Sequence, residues 1–372
     1  MAQVSIAECA SYEIRRVESA VKQVMSDAVA ESAVEIKGRR VLVKPNLLSA
    51  RRPDKCVTTH PAVVGAVVDF LRDLGASVSV GDSPGGAVGG VRRVWENTGM
   101  LELSRSRTVP LVNFEAGGWV EKSVDKRTYP IARVLDDFDL IVNAAKFKTH
   151  VLTLLTGAVK NTFGCVPGFH KSSLHLKHPG PGAMSRAIVD VFSLVRPGIN
   201  VMDAVESMEG NGPASGRVVR TGLVAASADA VALDSVMAAI AGLDPQEVPL
   251  IRDASRRGLG EASLDRIRLA GGSLSELRIS GFDIPSNWGF RLIPGALASL
   301  LRRFVWVRPR IVAERCTGCG WCVRMCPAGA IKFEGGRGVV DRARCIACLC
   351  CHEACPEGAV DLGMSWLARL IS

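Results

Sequence analysis

The 372-residue sequence predicts an α/β protein: a mostly parallel sheet with helices on both faces, followed by a small α+β unit at the C-terminus. Three observations carry this. Strand-like and helix-like segments alternate through the first 150 residues. Hydrophobic residues make up 48% of the chain and charged residues 22%, enough for one large core and a smaller one. Nine of the twelve cysteines lie at or beyond Cys316, which sets the end of the chain apart.

In order, VSIAECA, GRRVLVKPNLL, ASVSVGDS, VPLVNFE and FDLIVNAAKF are short β-rich runs. Between them, His60 to Leu74 places Val63, Val67, Phe70, Leu71 and Leu74 at helical spacing, and Gly75 stops the helix. Ligands of such folds sit beyond the carboxyl ends of strands, so polar residues just after strands carry weight. Thr156 to Gly182, rich in Gly, His, Lys and Pro, reads as a long functional loop. A helix follows over Met184 to Val195, then a strand at Ile199 to Asp203, the turn EGNGPASGR, and a further α/β stretch to about Ile284. The expected division is an α/β domain over 1–285, a connector over 286–312, the small domain over 313–362 and a tail over 363–372. In the connector, Leu297, Leu300, Leu301 and Phe304 share a helical face beside Arg302 and Arg303. It is read as packing the small domain onto the large one in preference to touching a membrane surface.

The opening MAQVSIAECASYEIRRVESAV has no basic start, long apolar stretch and small-residue cleavage site, so a cytoplasmic location is expected. Apolar runs such as Ile293 to Leu301 fall far below the roughly 20 residues of a membrane span.

CTGCGWCVRMCP begins at Cys316 and CIACLCCHEACP at Cys345. Both fit C-x-x-C-x-x-C-x-x-x-C-P, every landmark displaced by 29 residues: Cys319 to Cys348, Cys322 to Cys351, Cys326 to Cys355, Pro327 to Pro356. This is an internal duplication in which each half supplies a strand, a ligand loop and a short helix. Four cysteines followed by proline, in tandem, is a 4Fe-4S signature; zinc knuckles need no such run. The first three cysteines of a run wrap one cube, and the fourth points to the other. Cluster one is therefore expected on Cys316, Cys319, Cys322 and Cys355, and cluster two on Cys345, Cys348, Cys351 and Cys326. Residues 313–362 resemble bacterial two-cluster ferredoxins in all eight ligands.

Cys350 falls outside the register and is read as a small buried neighbour able to give a weak S–H bond to a cluster sulphur. His352 is read as a solvated neighbour. Neither cluster has an open coordination position, so both are expected to move electrons. Two clusters of about −2 each bring the formal charge of +9 to about +5, a balance that suits local anion sites and no nucleic-acid surface.

Three lysine-bearing stretches stand out: VKPNLL with Lys44 and Asn46, NAAKFKTH with Lys146, Lys148 and His150, and TGAVKNTFG with Lys160 and Asn161. Alternation along a strand puts Lys146 and Lys148 on one side, where they repel unless an anion lies between them. A carboxylate or phosphate would satisfy both, with His150 as proton donor. GDSPGGAVGG can present backbone N–H groups to an anion, and its Asp82 can orient a lysine or bind a ligand hydroxyl. Neither it nor TGAVKNTFG is a nucleotide fingerprint.

VKPNLL, TTHP, GDSPGG, NAAKFKTH, TGAVKNTFG, the GNGPASG turn and the paired cluster motifs together resemble the domain-of-unknown-function 362 family over nearly the whole chain. The resemblance implies an α/β domain fused to a two-cluster ferredoxin in prokaryotic cytoplasm. It carries over Lys44, Asn46, His60, Asp82, Lys146, Lys148, His150, Lys160 and Asn161 as site positions.

The expected function is an iron-sulphur oxidoreductase that receives electrons from a redox partner protein and exchanges them with an anionic small molecule. Lys148, His150 and Lys146 would act on that molecule, and Lys44, Asn46, His60, Asp82, Lys160 and Asn161 would bind it. The alternative is an electron carrier or assembly partner with no substrate. A flavin between clusters and substrate is supported by no motif. If the repeat sets the ligands, anaerobically purified protein should hold about eight irons per chain. Cys350→Ser should keep them, whereas Cys351→Ser should damage one cluster; the reverse pattern would break the register.

Overall fold

The computed structural model describes residues 1–85, 90–285 and 307–366. Its main sheet draws on β1 (Ala2–Glu8), β2 (Arg40–Pro45), β3 (Ser77–Asp82), β4 (Leu111–Asn113) and, beyond the hairpin of β5 (Trp119–Val124) and β6 (Arg127–Ala132), on β7 (Leu140–His150), β8 (Leu154–Thr156), β9 (Ile199–Glu209), β10 (Arg217–Ser227) and β11 (Ile267–Ala270). The order is β11-β1-β10-β9-β7-β2-β3-β4, with β8 folded back on β7. From β9 through β7, β2 and β3 to β4 all pairings are parallel; β10 runs antiparallel to both β9 and β1.

Helices cover both faces, as expected of a sheet whose strands are apolar on both sides. They are α1 (Ile14–Ser32), α2 (Pro61–Asp73), α3 (Val91–Asn97), α4 (Met100–Arg107), α5 (Ala158–Asn161), α6 (His170–Lys177), α7 (Pro181–Val195), α8 (Ala230–Ile240) and α9 (Pro249–Arg256). Alternation divides the strands between two cores. Val41 and Val43 of β2 pack with Val17 and Val21 of α1 and Val63 and Val67 of α2, whereas Leu42 joins Ile188 of α7 and Val236 of α8 on the opposite face. The α2 pattern read from the sequence is realised: Pro61 opens the helix, the His60 imidazole accepts the Ala62 N–H at 3.2 Å, and Gly75 follows its end at φ 84°.

Two segments differ from expectation. Thr156 to Gly182 is largely helical, forming α5, a helical turn at Thr162–Cys165, and α6. The cap of α5 comes from far along the chain: Asp234 on α8 accepts the Ala158 and Val159 N–H groups at 2.6 and 3.0 Å. Gly157 leaves room for that carboxylate, since a Cβ there would lie 2.2 Å from Asp234 Oδ1. The strand expected at Ile199 to Asp203 continues to Glu209, because β10 pairs with it as far as Arg217↔Glu209 across the glycine-rich turn.

The C-terminal unit has two small antiparallel pairs, β12 (Val307–Ile311) with β15 (Val360–Met364) and β13 (Ile331–Glu334) with β14 (Arg337–Val340). Two short helices, α10 (Trp321–Met325) and α11 (Cys350–Ala354), follow the two cysteine loops. This unit thus reaches back to Val307, inside the stretch read as connector. The amphipathic face at 297–304, residues 86–89 of GDSPGGAVGG and residues 367–372 of the tail lie outside the described residues. Among the described residues no helix is long and apolar enough to cross a membrane.

Asp229 anchors α8 by accepting the Val231 and Ala232 N–H groups at 2.8 and 3.0 Å, and also the Glu261 N–H at 2.8 Å. Asp229→Ala should lower the unfolding free energy by about 1–2 kcal/mol in a urea titration. An unchanged midpoint would show that the cap contributes nothing.

Candidate functional site

The carboxyl ends of β2, β3, β7 and β9 carry most of the polar residues singled out in the sequence. Lys44, at the end of β2, is fully buried and pairs with Asp82, at the end of β3, at 2.8 Å. Asp82 also accepts the Leu47 and Ser83 N–H groups. Gly164 lies against the pair so closely that a Cβ would meet Asp82 Oδ1 at 2.3 Å and Lys44 Nζ at 2.5 Å.

Lys146 and Lys148, expected to face one anion, have separate partners within the protein. Lys146 donates to Asp203 of β9 at 3.0 Å and to the Tyr12 hydroxyl at 2.7 Å, so its counter-charge is the protein's own. His60 belongs to this second network. Its backbone N–H donates to Asp203 at 2.8 Å, and its ring stacks on Tyr12 at 3.6 Å between centroids. The β7–β9 register shifts between Lys146 and Lys148, and Lys148 finds different partners, Asn46 Oδ1 at 3.2 Å and the Val57 carbonyl.

Lys148 ends a head-to-tail relay of amides, half-buried at Asn46 and buried beyond it. Asn46 Nδ2 donates to Asn161 Oδ1 at 3.0 Å, Asn161 Nδ2 to Asn143 Oδ1 at 2.8 Å, and Asn143 Nδ2 to Asn200 Oδ1 at 3.0 Å. Each amide is oriented by the next, which holds Asn46 Oδ1 toward the ammonium. Burial and the neighbouring Lys160 push Lys148 down to about 7.

Asn46, Asp82, Lys148, Lys160 and Asn161 line one narrow cleft, partly open to solvent. Lys171 and His175 of α6, unforeseen because their segment was read as loop, line it too. Lys171 donates to Ser83 Oγ at 2.7 Å and is pushed down to about 8 by burial. The far wall comes from the C-terminal unit: Met325, Cys350 and Glu353.

His150 joins the two units. Its Nδ1 accepts the Leu152 and Thr153 N–H groups at 3.1 and 3.4 Å, so the proton sits on Nε2 and is donated to Glu353 at 2.9 Å. Burial and Lys160 push His150 down to about 4, leaving it neutral. Burial alone would raise Glu353, but Lys160, His150 and His175 hold it well below the usual carboxylate range. The imidazole expected as a free proton donor is thus engaged at the interface. Arg51 makes a second link, donating to the Cys355 carbonyl at 3.0 Å, with Gly358 close beneath its guanidinium.

Cys316, Cys319, Cys322 and Cys355 line a common cavity beside β13 and β14. Gly338 keeps its wall open, a Cβ there lying 3.0 Å from Cys322 Sγ. Burial pushes the Cys322 thiol up to about 11, with Cys355, Cys319 and Cys316 adding to the shift. Burial likewise raises Cys345, whose cysteine neighbours are Cys348 and Cys326, and Cys351, which neighbours Cys348, Cys322, Cys345 and Cys326. The duplication extends to sulphur hydrogen bonds: the Ala330 N–H donates to Cys326 Sγ and the Ala359 N–H to Cys355 Sγ, both at 3.2 Å. In the first set, thiols gathered around open space, with a backbone donor at Cys355, fit a 4Fe-4S group. His352, expected in solvent, is 1% exposed and holds the Val360 carbonyl through Nδ1 at 2.6 Å.

Burial pushes His60, His150 and His175 down to about 4 from 6.5. Between those values the unfolded chain binds the additional protons, so stability rises with pH and is lost as pH falls from 6.5 toward 4. Asp234, raised to about 7 by burial, and Asp229, raised likewise, work in the opposite sense, while His178, lowered by burial, adds to the three histidines. Urea midpoints of the anaerobic protein should therefore be lower at pH 5 than at pH 7; a flat profile would contradict these environments.

The family model described as "Domain of unknown function (DUF362)" matches residues 41–239, and that of a "4Fe-4S dicluster domain" matches 308–356. A thylakoid-associated protein of Synechocystis sp. is 36% identical over 230 residues, covering 61% of this chain and 71% of that protein. Among solved structures, the lactate racemase apoprotein of Thermoanaerobacterium thermosaccharolyticum aligns with a TM-score of 0.39 at 10% identity, over 61% of this chain; the chain spans 54% of that protein's length. By the family match the chain belongs to the DUF362 family, and it carries a 4Fe-4S ferredoxin-type domain.

Proposed function

We propose that the protein is an oxidoreductase that passes electrons through two 4Fe-4S clusters to or from an anionic organic molecule bound in the cleft between an α/β domain and the C-terminal unit. The observation that carries this reading is the composition of the cleft wall. Lys148, Lys160 and Lys171 face it from the α/β side, and Met325, Cys350 and Glu353, neighbours of the expected ligands Cys326, Cys348, Cys351 and Cys355, face it from the other. Cluster two, on Cys345, Cys348, Cys351 and Cys326, would then adjoin the cleft. Cluster one, on Cys316, Cys319, Cys322 and Cys355, would meet a redox partner protein through the exposed Cys319.

The clusters supply single electrons when bound; the chain's own residues do the rest. Lys160 offers its ammonium to a carboxylate or phosphate. Lys148, positioned by Asn46 and titrating near neutrality, can hold or release a proton beside that anion. Lys44 supports the floor through Asp82, while Lys146 and His60 brace the strand ends from the second network. Cytoplasmic placement suits free thiols and clusters, and the relative's thylakoid association points to work close to a membrane surface.

Lys148→Ala and Lys160→Ala should each abolish retention of a small anion, followed by native mass spectrometry, while iron content and the visible spectrum stay those of the parent. Retention unchanged by both substitutions would end the cleft reading. A protein that holds no small anion but binds an acidic partner with strong salt dependence would instead be a carrier.

A further inference from the structure

Lys171 and Ser83 line the same cleft as Lys148 but reach it from another part of the sheet. Lys148 belongs to β7 and Ser83 follows β3, with β2 between them. The two backbone positions are therefore at least two strand spacings apart, about 10 Å. The charged groups that act most strongly on the two lysines differ accordingly: Lys160, Glu353 and Lys146 on Lys148, and Asp82, Glu115 and Lys44 on Lys171. The Ser83 hydroxyl is fully committed: it accepts the Lys171 ammonium at 2.7 Å and the Gly168 N–H at 3.0 Å, and donates to Glu115 at 3.1 Å. It fixes Lys171 without competing for a ligand. Lys171 is 8% exposed, and the hydrogen bond found for its ammonium among the described residues is this one, to a neutral oxygen. Glu115 is exposed, so water weakens its charge. Burial holds Lys148 at about 7 and Lys171 at about 8, a cost that an anion at each would offset. The segment from Lys160 to Gly164 runs from one lysine toward the other. Asn161 bonds to Asn46 beside Lys148, Gly164 lies on the Lys44–Asp82 pair, and Phe163, between them in the chain, lines the cleft with Leu48.

We propose that Lys171, set in place by Ser83, is a second anion subsite, and that the molecule taken by the cleft carries two acidic groups joined by an apolar link, as in a short dicarboxylate. The proposal rests on the cleft reading above and narrows its substrate class. One acid would meet Lys148 beside Asn46, the other would meet Lys171, and the link would lie against Phe163 and Leu48. A monocarboxylate would leave one buried ammonium group without an anion. The cleft would thus separate the two classes by the charge at the far end of the ligand.

The test uses anaerobically purified full-length protein and two probes, glutarate and butyrate, titrated calorimetrically at equal ionic strength. Glutarate should bind at least about tenfold more tightly than butyrate, the effect of one further charge-assisted hydrogen bond. Lys171→Ala should bring glutarate to the butyrate level while leaving butyrate within about twofold of the parent, since a monoanion needs only one of the two ends. Lys171→Met, which keeps the apolar stem, should do the same, with iron content and urea midpoint close to the parent's. Equal affinity for the two acids, no binding of either, glutarate unmoved in both Lys171 variants, or both acids weakened alike by them would overturn the proposal. The cleft reading fails by a different result. If Lys148→Ala binds both probes as the parent does, neither acid sits in the cleft and both readings fall; if it weakens glutarate while the Lys171 variants do not, only the second subsite falls.

Discussion

Burial of lysine ammonium groups at the carboxyl ends of the central strands is the constraint on which this arrangement depends. Lys44, Lys146 and Lys148 are each at most 1% exposed, and a charge removed from water must be compensated locally. The sheet answers in three ways: a carboxylate from β3 for Lys44, a carboxylate from β9 with a phenol for Lys146, and an amide with a carbonyl for Lys148. Of the three, Lys148 donates its hydrogen bonds to neutral acceptors, and it is the one that lines the cleft. Its charge is therefore the least compensated of the three, and burial pushes it down to about 7.

That difference follows from strand register. Lys146 stands opposite Asp203, but the shift before Lys148 carries the next carboxylates of β9 away and leaves Met208 opposite it. The neighbouring β2 end supplies Asn46 instead, and the amide relay through Asn161 and Asn143 to Asn200 ties its orientation to the middle of the sheet. Glycines at 157 and 164 let carboxylate and backbone approach within distances that no side chain permits.

Much of this was legible in the chain. Alternation and helical spacing identified β2, β3, β7 and α2, because their periodicity is set by burial on one or both faces. The cysteine repeat showed the duplication because a ligand set constrains spacing more tightly than a core does. Five polar positions named from local context, Asn46, Asp82, Lys148, Lys160 and Asn161, do share one cleft. What local context could not disclose were partners remote in sequence. Asp203 removes Lys146 from the cleft, Glu353 engages His150 from 203 residues away, and Asp234 caps a segment that reads as loop. Lys171 and His175 sit on a helix inside that same segment, so local context gives no sign that they line the cleft. Asn143 lay in plain view at the head of NAAKFKTH, but a buried amide has no signature until its neighbours are known.

The His150–Glu353 bond has a consequence for how such a chain can be assembled in evolution or by engineering. Glu353 rides on the same single-turn helix as Cys350 and Cys351, so the contact that seats the C-terminal unit is written inside its cysteine motif and not in a separable surface loop. A ferredoxin-type module borrowed from elsewhere would need an acidic residue two positions before its last cysteine to be received by this imidazole. The two halves are therefore not freely interchangeable parts: exchanging either one breaks this contact unless the incoming piece brings the matching histidine or glutamate.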